Sequence, residues 1–182
     1  MSTGSPARTV SVSDGLVVLP FRALRYALPP GGDLAALTSP PYDVVDDEEV
    51  RRLEAADPHN VVRLILPRDD AGPGSRYDRA ARTLHGWIRS GVLRRDDEPA
   101  LYVYEERAGE HLQRGLLGAV GLADPEAGTV LPHEDTMAGP VADRLALTRA
   151  TRTNLEPIFL LYDGGGAASR TVTDAAATPP LL

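Results

Sequence analysis

The chain has 182 residues and a formal net charge of −7, and 42% of its residues are hydrophobic. This size suits a domain with a real core, and the acidic balance argues against a nonspecific nucleic-acid binder, which would present a basic surface to phosphates. All 19 Lys-plus-Arg positions are arginine and cysteine is absent, which excludes P-loop lysines, Schiff bases, thiolate nucleophiles and disulfides.

The first half of the chain predicts four elements after a polar stretch, residues 1–14, that we expect to be a disordered tail. "LVVLPF" (16–21) predicts a short strand. "LTSPPYDVV" (37–45) is expected to be extended, because its prolines fix φ and disfavour helix. "DDEEVRRLEAAD" (46–57) predicts a helix with acids in its first turn, and "NVVRLILP" (60–67) predicts a strand.

The second half predicts a helix over 75–90, whose apolar residues recur every three or four positions. Alternation over 100–107 and 112–123 predicts a β-hairpin. A helix over roughly 141–153 and a strand over 157–163 follow, and no element is predicted after the "GGG" run. This order indicates an α+β fold with a mixed, mostly antiparallel sheet and three main helices.

Residues 15–163 are predicted to form a single α+β domain, and residues 164–182 a flexible tail or a truncated remainder. The N-terminus lacks the apolar core of a signal peptide, and no apolar run approaches 18 residues. We therefore expect a cytoplasmic protein without a membrane partner.

The tetrapeptide "HEDT" (133–136) raises the question of a metal site. A zinc peptidase motif H-E-x-x-H needs a second histidine four positions after His133, and Met137 stands there. A hard-cation site at Glu134 and Asp135 stays open beside the simpler interpretation, a solvated pair of acids in a loop. No metal ligand is assigned.

The predicted helix after HEDT carries Arg144, Thr148 and Arg152 at spacings of four, which places them on one face. Two interpretations remain: a solvated Arg/Thr face, or a clamp in which arginine forks bind a phosphate or carboxylate.

Two further polar segments lie directly beside apolar runs of the sequence. The proline-rich turn presents Tyr42 and Asp43, although Asp46 nearby could simply cap the next helix. Asn60 precedes a predicted strand, a common place for a turn residue. Together with HEDT, these polar segments suggest one site at the edge of the sheet.

Several segments, in this order, resemble the bacterial and archaeal "domain of unknown function 1015" family over about residues 16–163. They are "LPFRALRY", "LTSPPYDVVDDEE", "NVVRLILP", "YDRAARTLHGWIRSGVL", "PALYVYEE", "RGLLGAVGL", "LPHEDTMAGPVADRL" and "NLEPIFLLYD". That family resembles the ParB/sulfiredoxin-like superfamily, whose shared theme is nucleotide phosphate chemistry on a small α+β scaffold. The family's downstream motif, similar to "DGHHRY", is missing before Leu182, so we expect a fragment or a truncated gene product with weak nucleotide binding and an unpaired sheet edge at 157–163.

The resemblance implies the N-terminal portion of a nucleotide-dependent phosphotransfer enzyme, similar to a small-molecule kinase. His133, Glu134 and Thr136 would line the site, and Glu134 or Asp43 would act as general base. Arg144 and Arg152 would bind phosphate, and a nucleoside triphosphate with Mg²⁺ would be the cofactor. The alternatives are a non-catalytic nucleotide- or ligand-binding regulatory module, for which a homodimer is the expected partner state, and an inactive truncated fragment.

Overall fold

A computed structural model of the chain describes residues 15–29, 32–69, 74–132, 135–162 and 166–180. Its strands are β1 (Val18–Leu19), β2 (Leu24–Tyr26), β3 (Leu93–Arg95), β4 (Tyr102–Ala108), β5 (His111–Leu117) and β6 (Ala119–Val120). Its helices are α1 (Asp47–Ala56), α2 (Val62–Ile65), α3 (Arg76–Arg89), α4 (Ala138–Thr151) and α5 (Gly166–Ala176), with 3-10 turns at Tyr42–Val44 and Pro125–Ala127.

The strands form three antiparallel pairs within these ranges: β1 with β6, β2 with β3, and β4 with β5. The predicted α+β class is confirmed, and the three predicted main helices correspond to α1, α3 and α4. Strands β4 and β5 form the predicted hairpin, in which Tyr102 lies opposite Leu117 and Ala108 opposite His111. No helix in the described part of the chain has the length and apolarity needed to cross a bilayer.

The ends of α1 and α3 follow from local sequence. The carboxylate of Asp46 accepts a hydrogen bond from the Glu49 N–H at 2.8 Å, which caps the N-terminus of α1. Ser75 and Asp78 form a reciprocal capping box at the start of α3. After α3 the chain turns at Gly91, whose φ of 78° lies in the left-handed region that favours glycine.

Residues 60–67 were predicted to be a strand, and this prediction is wrong. The segment contains α2, one helical turn whose Val62, Leu64 and Ile65 side chains are buried. The Asn60 side-chain oxygen accepts a hydrogen bond from the Val62 N–H at 2.9 Å, and this contact starts the turn. A short apolar run cannot be assigned to strand or helix by its periodicity alone, because both bury such a run completely.

Two predictions about the C-terminal part also fail. The strand predicted over 157–163 is absent from its described portion, 157–162, which pairs with no described strand. The sequence predicts no element after the glycine run, whereas α5 occupies Gly166–Ala176 and lies against β4 and β5. Its Val172 side chain is buried, so one apolar contact gives this Ala/Thr-rich helix an inner face.

Two clusters of buried side chains make up the core. The first contains Leu64, Leu84, Trp87 and Leu93, with Leu24, Tyr26, Val61, Val92 and Leu155 packed against it. The second contains Val50, Leu53 and Val62, with Val45 and Leu66 at its edge. The single turn of α2 contributes to both clusters, and it therefore ties α1 to α3.

Asn60 fixes the loop that leads to the proline-rich turn. Its side chain is completely buried, at 0% exposure. Its amide nitrogen donates to the backbone oxygens of Ala36 and Thr38, both at 2.8 Å. Together with the bond from Val62, these contacts use both donors and the acceptor of one amide. Asn60 is therefore a buried structural residue in a loop before a helix, and not the entrance of a strand as predicted.

We expect Asn60→Ala to lower the free energy of unfolding by about 2–3 kcal/mol, because it leaves buried backbone groups without partners. Denaturant unfolding followed by the fluorescence of Trp87, which is the chain's one tryptophan and lies in the first cluster, measures this loss. The control is Asn154→Ala, at an exposed asparagine, where we expect a change within about 0.5 kcal/mol. Equal effects of the two substitutions would contradict the role assigned to Asn60.

Candidate functional site

A network of charged side chains joins the proline-rich turn to α4. We call it the Arg144 hub; it consists of Arg144, Asp143, Glu156, Tyr42, Arg76 and Tyr77. Helix α4 supplies the first two residues, α3 supplies the last two, and Glu156 follows α4. The hub gathers parts of the chain that are far apart in sequence.

The Arg144 side chain donates four hydrogen bonds. Its Nη1 reaches the backbone oxygen of Ile65 at 2.8 Å and the Glu156 carboxylate at 3.0 Å. Its Nε and Nη2 both donate to Oδ2 of Asp143. A guanidinium group has five N–H donors, so protein acceptors occupy nearly all of them. The phosphate-binding role predicted for Arg144 would require some of these bonds to break.

Asp143 joins α4 to α3. Its Oδ1 accepts hydrogen bonds from Nη2 of Arg76 at 2.6 Å and from the Tyr77 hydroxyl at 2.8 Å. Burial raises the pKa of Asp143, but hydrogen bonds from Arg144 and Tyr77 and the nearby Arg76 charge outweigh it, so this pKa lies below its ordinary value.

The charges in the hub balance. Two guanidinium groups, of Arg76 and Arg144, face two carboxylates, of Asp143 and Glu156. The side chains of Arg144 and Asp143 are each about a quarter exposed, at 23% and 24%. Partly buried charges of this kind stabilise a fold only while every partner is present, because removing one leaves the others poorly solvated.

The proline-rich turn rests on the hub through Tyr42. The Arg144 guanidinium lies over the Tyr42 ring, 4.3 Å from its centre, a cation–π geometry. The Tyr42 backbone N–H donates to the Glu156 carboxylate at 3.3 Å. Asp43, the candidate general base, follows Tyr42 and is exposed. The hub therefore holds Asp43 in solvent next to α4, whereas Asp46 acts as the helix cap described above.

Two of the predicted catalytic residues, His133 and Glu134, lie outside the described residues. Thr136 is described and exposed. It precedes Met137, the N-cap residue of α4, whose side chain makes no capping hydrogen bond. The start of α4 therefore lacks a side-chain cap from its N-cap residue, and its first N–H groups are not satisfied from that position.

Arg152 lies at the opposite end of α4. It is the C-cap residue, with φ 52° and ψ 36°, and its N–H donates to the Thr148 oxygen at 2.7 Å. Its exposed side chain borders an open groove lined also by Thr148, Arg149, Thr153 and Asn154. At 1.5 Å per residue the ends of this helix are on the order of 20 Å apart. Thr136 and Arg152 are therefore not brought together at one phosphate.

Three members of the hub were not predicted from the sequence: Arg76, Tyr77 and Glu156. Arg76 and Tyr77 lie 67 and 66 positions from Asp143, and Glu156 lies 12 positions from Arg144. No local spacing rule relates residues at such distances. The Asp143–Arg144 pair in the first turns of α4 was visible in the sequence, but an acid beside a base does not specify what either side chain contacts.

Among the residues that the structure describes, no group of three or more histidine and acidic side chains could hold a metal ion. Another open groove lies at the hairpin tip and is lined by Glu106, Ala108, His111, Leu112, Gln113 and Arg114. The hub is therefore the candidate site with the most specific geometry. It combines paired arginine and carboxylate side chains with the exposed carboxylate of Asp43, which follows Tyr42.

We expect Asp143→Asn to lower the free energy of unfolding at neutral pH by about 1–3 kcal/mol, because it removes the charged acceptor that Arg144 and Arg76 share. Arg144 then keeps only the Glu156 carboxylate and Arg76 only that of Asp69. The folded-state pKa of Asp143 lies below the unfolded value of about 3.9. Its contribution is therefore fully present above that pH and is lost as the pH falls through the folded-state pKa. Unfolding measured between pH 7 and pH 2 should show a shallower acid loss in the variant.

The control for this prediction is Asp97→Asn. Asp97 is 83% exposed and pairs with Arg94 at 3.5 Å, so we expect a change within about 0.5 kcal/mol. An Asp143→Asn protein with the stability and acid profile of the Asp97→Asn protein would show that the hub does not stabilise the fold.

The comparisons with known proteins give one family. The family described as "Protein of unknown function (DUF1015)" matches residues 18–182, a range that includes every strand and helix of the described structure. The searches of curated proteins and of solved structures found no significant match. Because the family match covers most of its length, this chain belongs to the DUF1015 family.

Proposed function

We propose that the chain forms one wall of a nucleotide-dependent phosphotransfer site, as expected of the N-terminal portion of an enzyme similar to a small-molecule kinase. The observation that carries the proposal is the contact of Tyr42 with Arg144 and Glu156. It holds the proline-rich turn against α4, the helix that follows HEDT. The proline-rich turn and HEDT are also the most specific parts of the resemblance to the DUF1015 family, which in turn resembles the ParB/sulfiredoxin-like superfamily.

In this proposal Asp43 or Glu134 is the general base. The carboxylate takes the proton of a substrate hydroxyl as the oxygen attacks the γ-phosphorus, and the nucleoside diphosphate leaves. The family resemblance assigns His133 and Thr136 to the lining of this site. Asp43 suits this role because it is exposed and follows a residue that the hub holds.

Arg144 is a positioning residue in this proposal, because its donors already bind Asp143, Glu156 and Ile65. It orients the turn at Tyr42 and does not bind phosphate itself. Arg152 makes no ion pair with another described residue, and it stays a candidate ligand for an anionic group at the far end of α4.

Mg²⁺ would accompany the nucleotide. In nucleotide sites this ion is commonly held by the phosphates and one or two carboxylates, with waters completing its shell. The exposed carboxylate of Asp135 is compatible with that donor set and leaves Asp43 available as the base. The ion would neutralise charge on the phosphates, while the residues of the chain position the substrate.

The second candidate is a binding or regulatory module without catalysis. The occupied donors of Arg144 favour it, because a phosphotransfer site relies on cations free to stabilise the transferred group. A module that only binds a nucleotide or another ligand needs fewer such cations.

The two candidates are separated by one set of measurements on the chain. ATP, GTP and CTP are titrated in the presence of Mg²⁺ by calorimetry, and labelled γ-phosphate transfer to a panel of small hydroxy compounds is then assayed. For the enzyme we expect labelled product that falls by about 10²–10⁴-fold in Asp43→Asn or Glu134→Gln, the range for loss of a general base.

Asp97→Asn, an exposed carboxylate outside the hub, is the matched control and should leave transfer unchanged. Binding without transfer across the panel would favour the regulatory module. If no nucleotide binds, the phosphotransfer site and a nucleotide-binding module are both wrong, and a module for another ligand remains.

A further inference from the structure

The residues after Glu156 expose a run of consecutive apolar side chains. We call Pro157–Tyr162 the apolar segment. Ile158 and Leu161 are 87% and 88% exposed, and Phe159 is 69% exposed; Leu160 and Tyr162 are exposed as well. Soluble monomers rarely present contiguous apolar patches larger than a few hundred Å². Five adjacent large apolar side chains therefore indicate a surface that is covered by another molecule.

The backbone of the apolar segment is also unpaired within the described structure. Its N–H and C=O groups make no backbone hydrogen bond with another described residue. Ile, Phe and Tyr are residues that favour strands. Such a stretch offers a row of free donors and acceptors to which another strand can pair.

The base of the apolar segment is fixed to the core. Leu155 packs against the first core cluster. Glu156 accepts hydrogen bonds from Arg144 and from the Tyr42 N–H. The segment therefore leaves the domain from two anchored residues, which lowers the conformational entropy lost when it pairs.

We propose that the apolar segment is a dimerisation strand that pairs antiparallel with the same segment of a second copy of this chain. In the register centred on Leu160, that residue lies opposite its own copy on the two-fold axis. Ile158 then lies opposite Tyr162, and Phe159 opposite Leu161, so each aromatic ring faces an aliphatic side chain, a favourable cross-strand pair. Pro157, which has no N–H, falls outside the pairing.

A second copy fits this segment for two reasons. The segment contains no charged residue, so two-fold pairing places no like charges opposite each other and buries no unpaired charge. Two-fold antiparallel pairing also uses the same surface on both copies and closes at two.

The available area agrees with a dimer. Taking about 150–250 Å² for a large apolar side chain, the exposed fractions of the five residues give an upper bound on the order of 500–800 Å² for the area that each copy can bury. A standard stable interface buries about 800 Å² per partner, so the segment suits a dimer that dissociates on dilution.

Analytical ultracentrifugation of the chain over the micromolar range tests the proposal. We expect a dimer that dissociates on dilution. Leu161→Asp should raise its dissociation constant by at least about tenfold, because the strand pair would then bury an unpaired charge. The matched control is Leu122→Asp, at a leucine that is fully exposed outside the segment, and it should stay dimeric.

A second measurement tests the register. The chain has no cysteine, so Leu160→Cys introduces a single thiol on the proposed axis. Opposed residues of an antiparallel pair have Cα atoms about 4.5–5.5 Å apart, within disulfide reach. Mild oxidation should give a covalent dimer, whereas Leu122→Cys should not.

Four outcomes would overturn the proposal: a monomer at every concentration, species larger than a dimer, loss of the dimer in Leu122→Asp, or no cross-link in Leu160→Cys. Because none of these readouts involves nucleotide, they are independent of the proposed phosphotransfer function.

Discussion

The guanidinium group of Arg144 joins four parts of the chain: the turn at Tyr42, the end of α2, helix α4 and Glu156. Its planar shape makes this possible, because its N–H bonds diverge in one plane while its face lies over an aromatic ring. An ammonium group offers a compact charge and cannot do both. In a chain whose basic positions are all arginine, this junction uses what arginine alone provides.

The same junction determines what the candidate site presents to solvent. Arg144 and Asp143 use most of their hydrogen-bonding capacity within the protein, whereas Asp43 remains exposed beside them. Arg144 and Asp143 therefore make internal contacts, whereas Asp43, which follows Tyr42 in the turn, faces solvent. Contacts of this kind restrict where the turn can lie, so the turn and α4 form one unit of the structure.

The sequence predicted the elements whose determinants are local. Acids and arginines marked α1, the spacing of apolar residues marked α3, and alternation marked the β4–β5 hairpin. It did not predict α2, because the apolar run of this segment suits a strand equally well. The hydrogen bond from the Val62 N–H to the Asn60 side chain favours the helical turn instead. The strand at 157–162 failed for a related reason, since a strand needs a partner that local composition does not supply.

The sequence predicted only part of the candidate site. Asp43 and Arg144 were selected from their neighbours in sequence, and the structure brings the adjacent Tyr42 into contact with Arg144. Thr136 and Arg152 were grouped with Arg144 because they lie near or on the same helix. A helix separates its two ends, however, and Arg152, the C-cap residue that follows α4, has left the helical conformation. The hub partners on α3 depend on how α3 packs against α4, which local patterns do not encode.

Helix α2 has one consequence for how the domain opens. Val62 belongs to one core cluster and Leu64, two residues later, to the other, so a single helical turn cannot loosen without disturbing both. Helices α1 and α3 should therefore behave as one cooperative unit, and their amide hydrogens should exchange through a shared opening. The distal part of the β4–β5 hairpin contributes no described residue to either cluster. It can open while both clusters remain intact, which makes it the independent, faster-exchanging part of the domain.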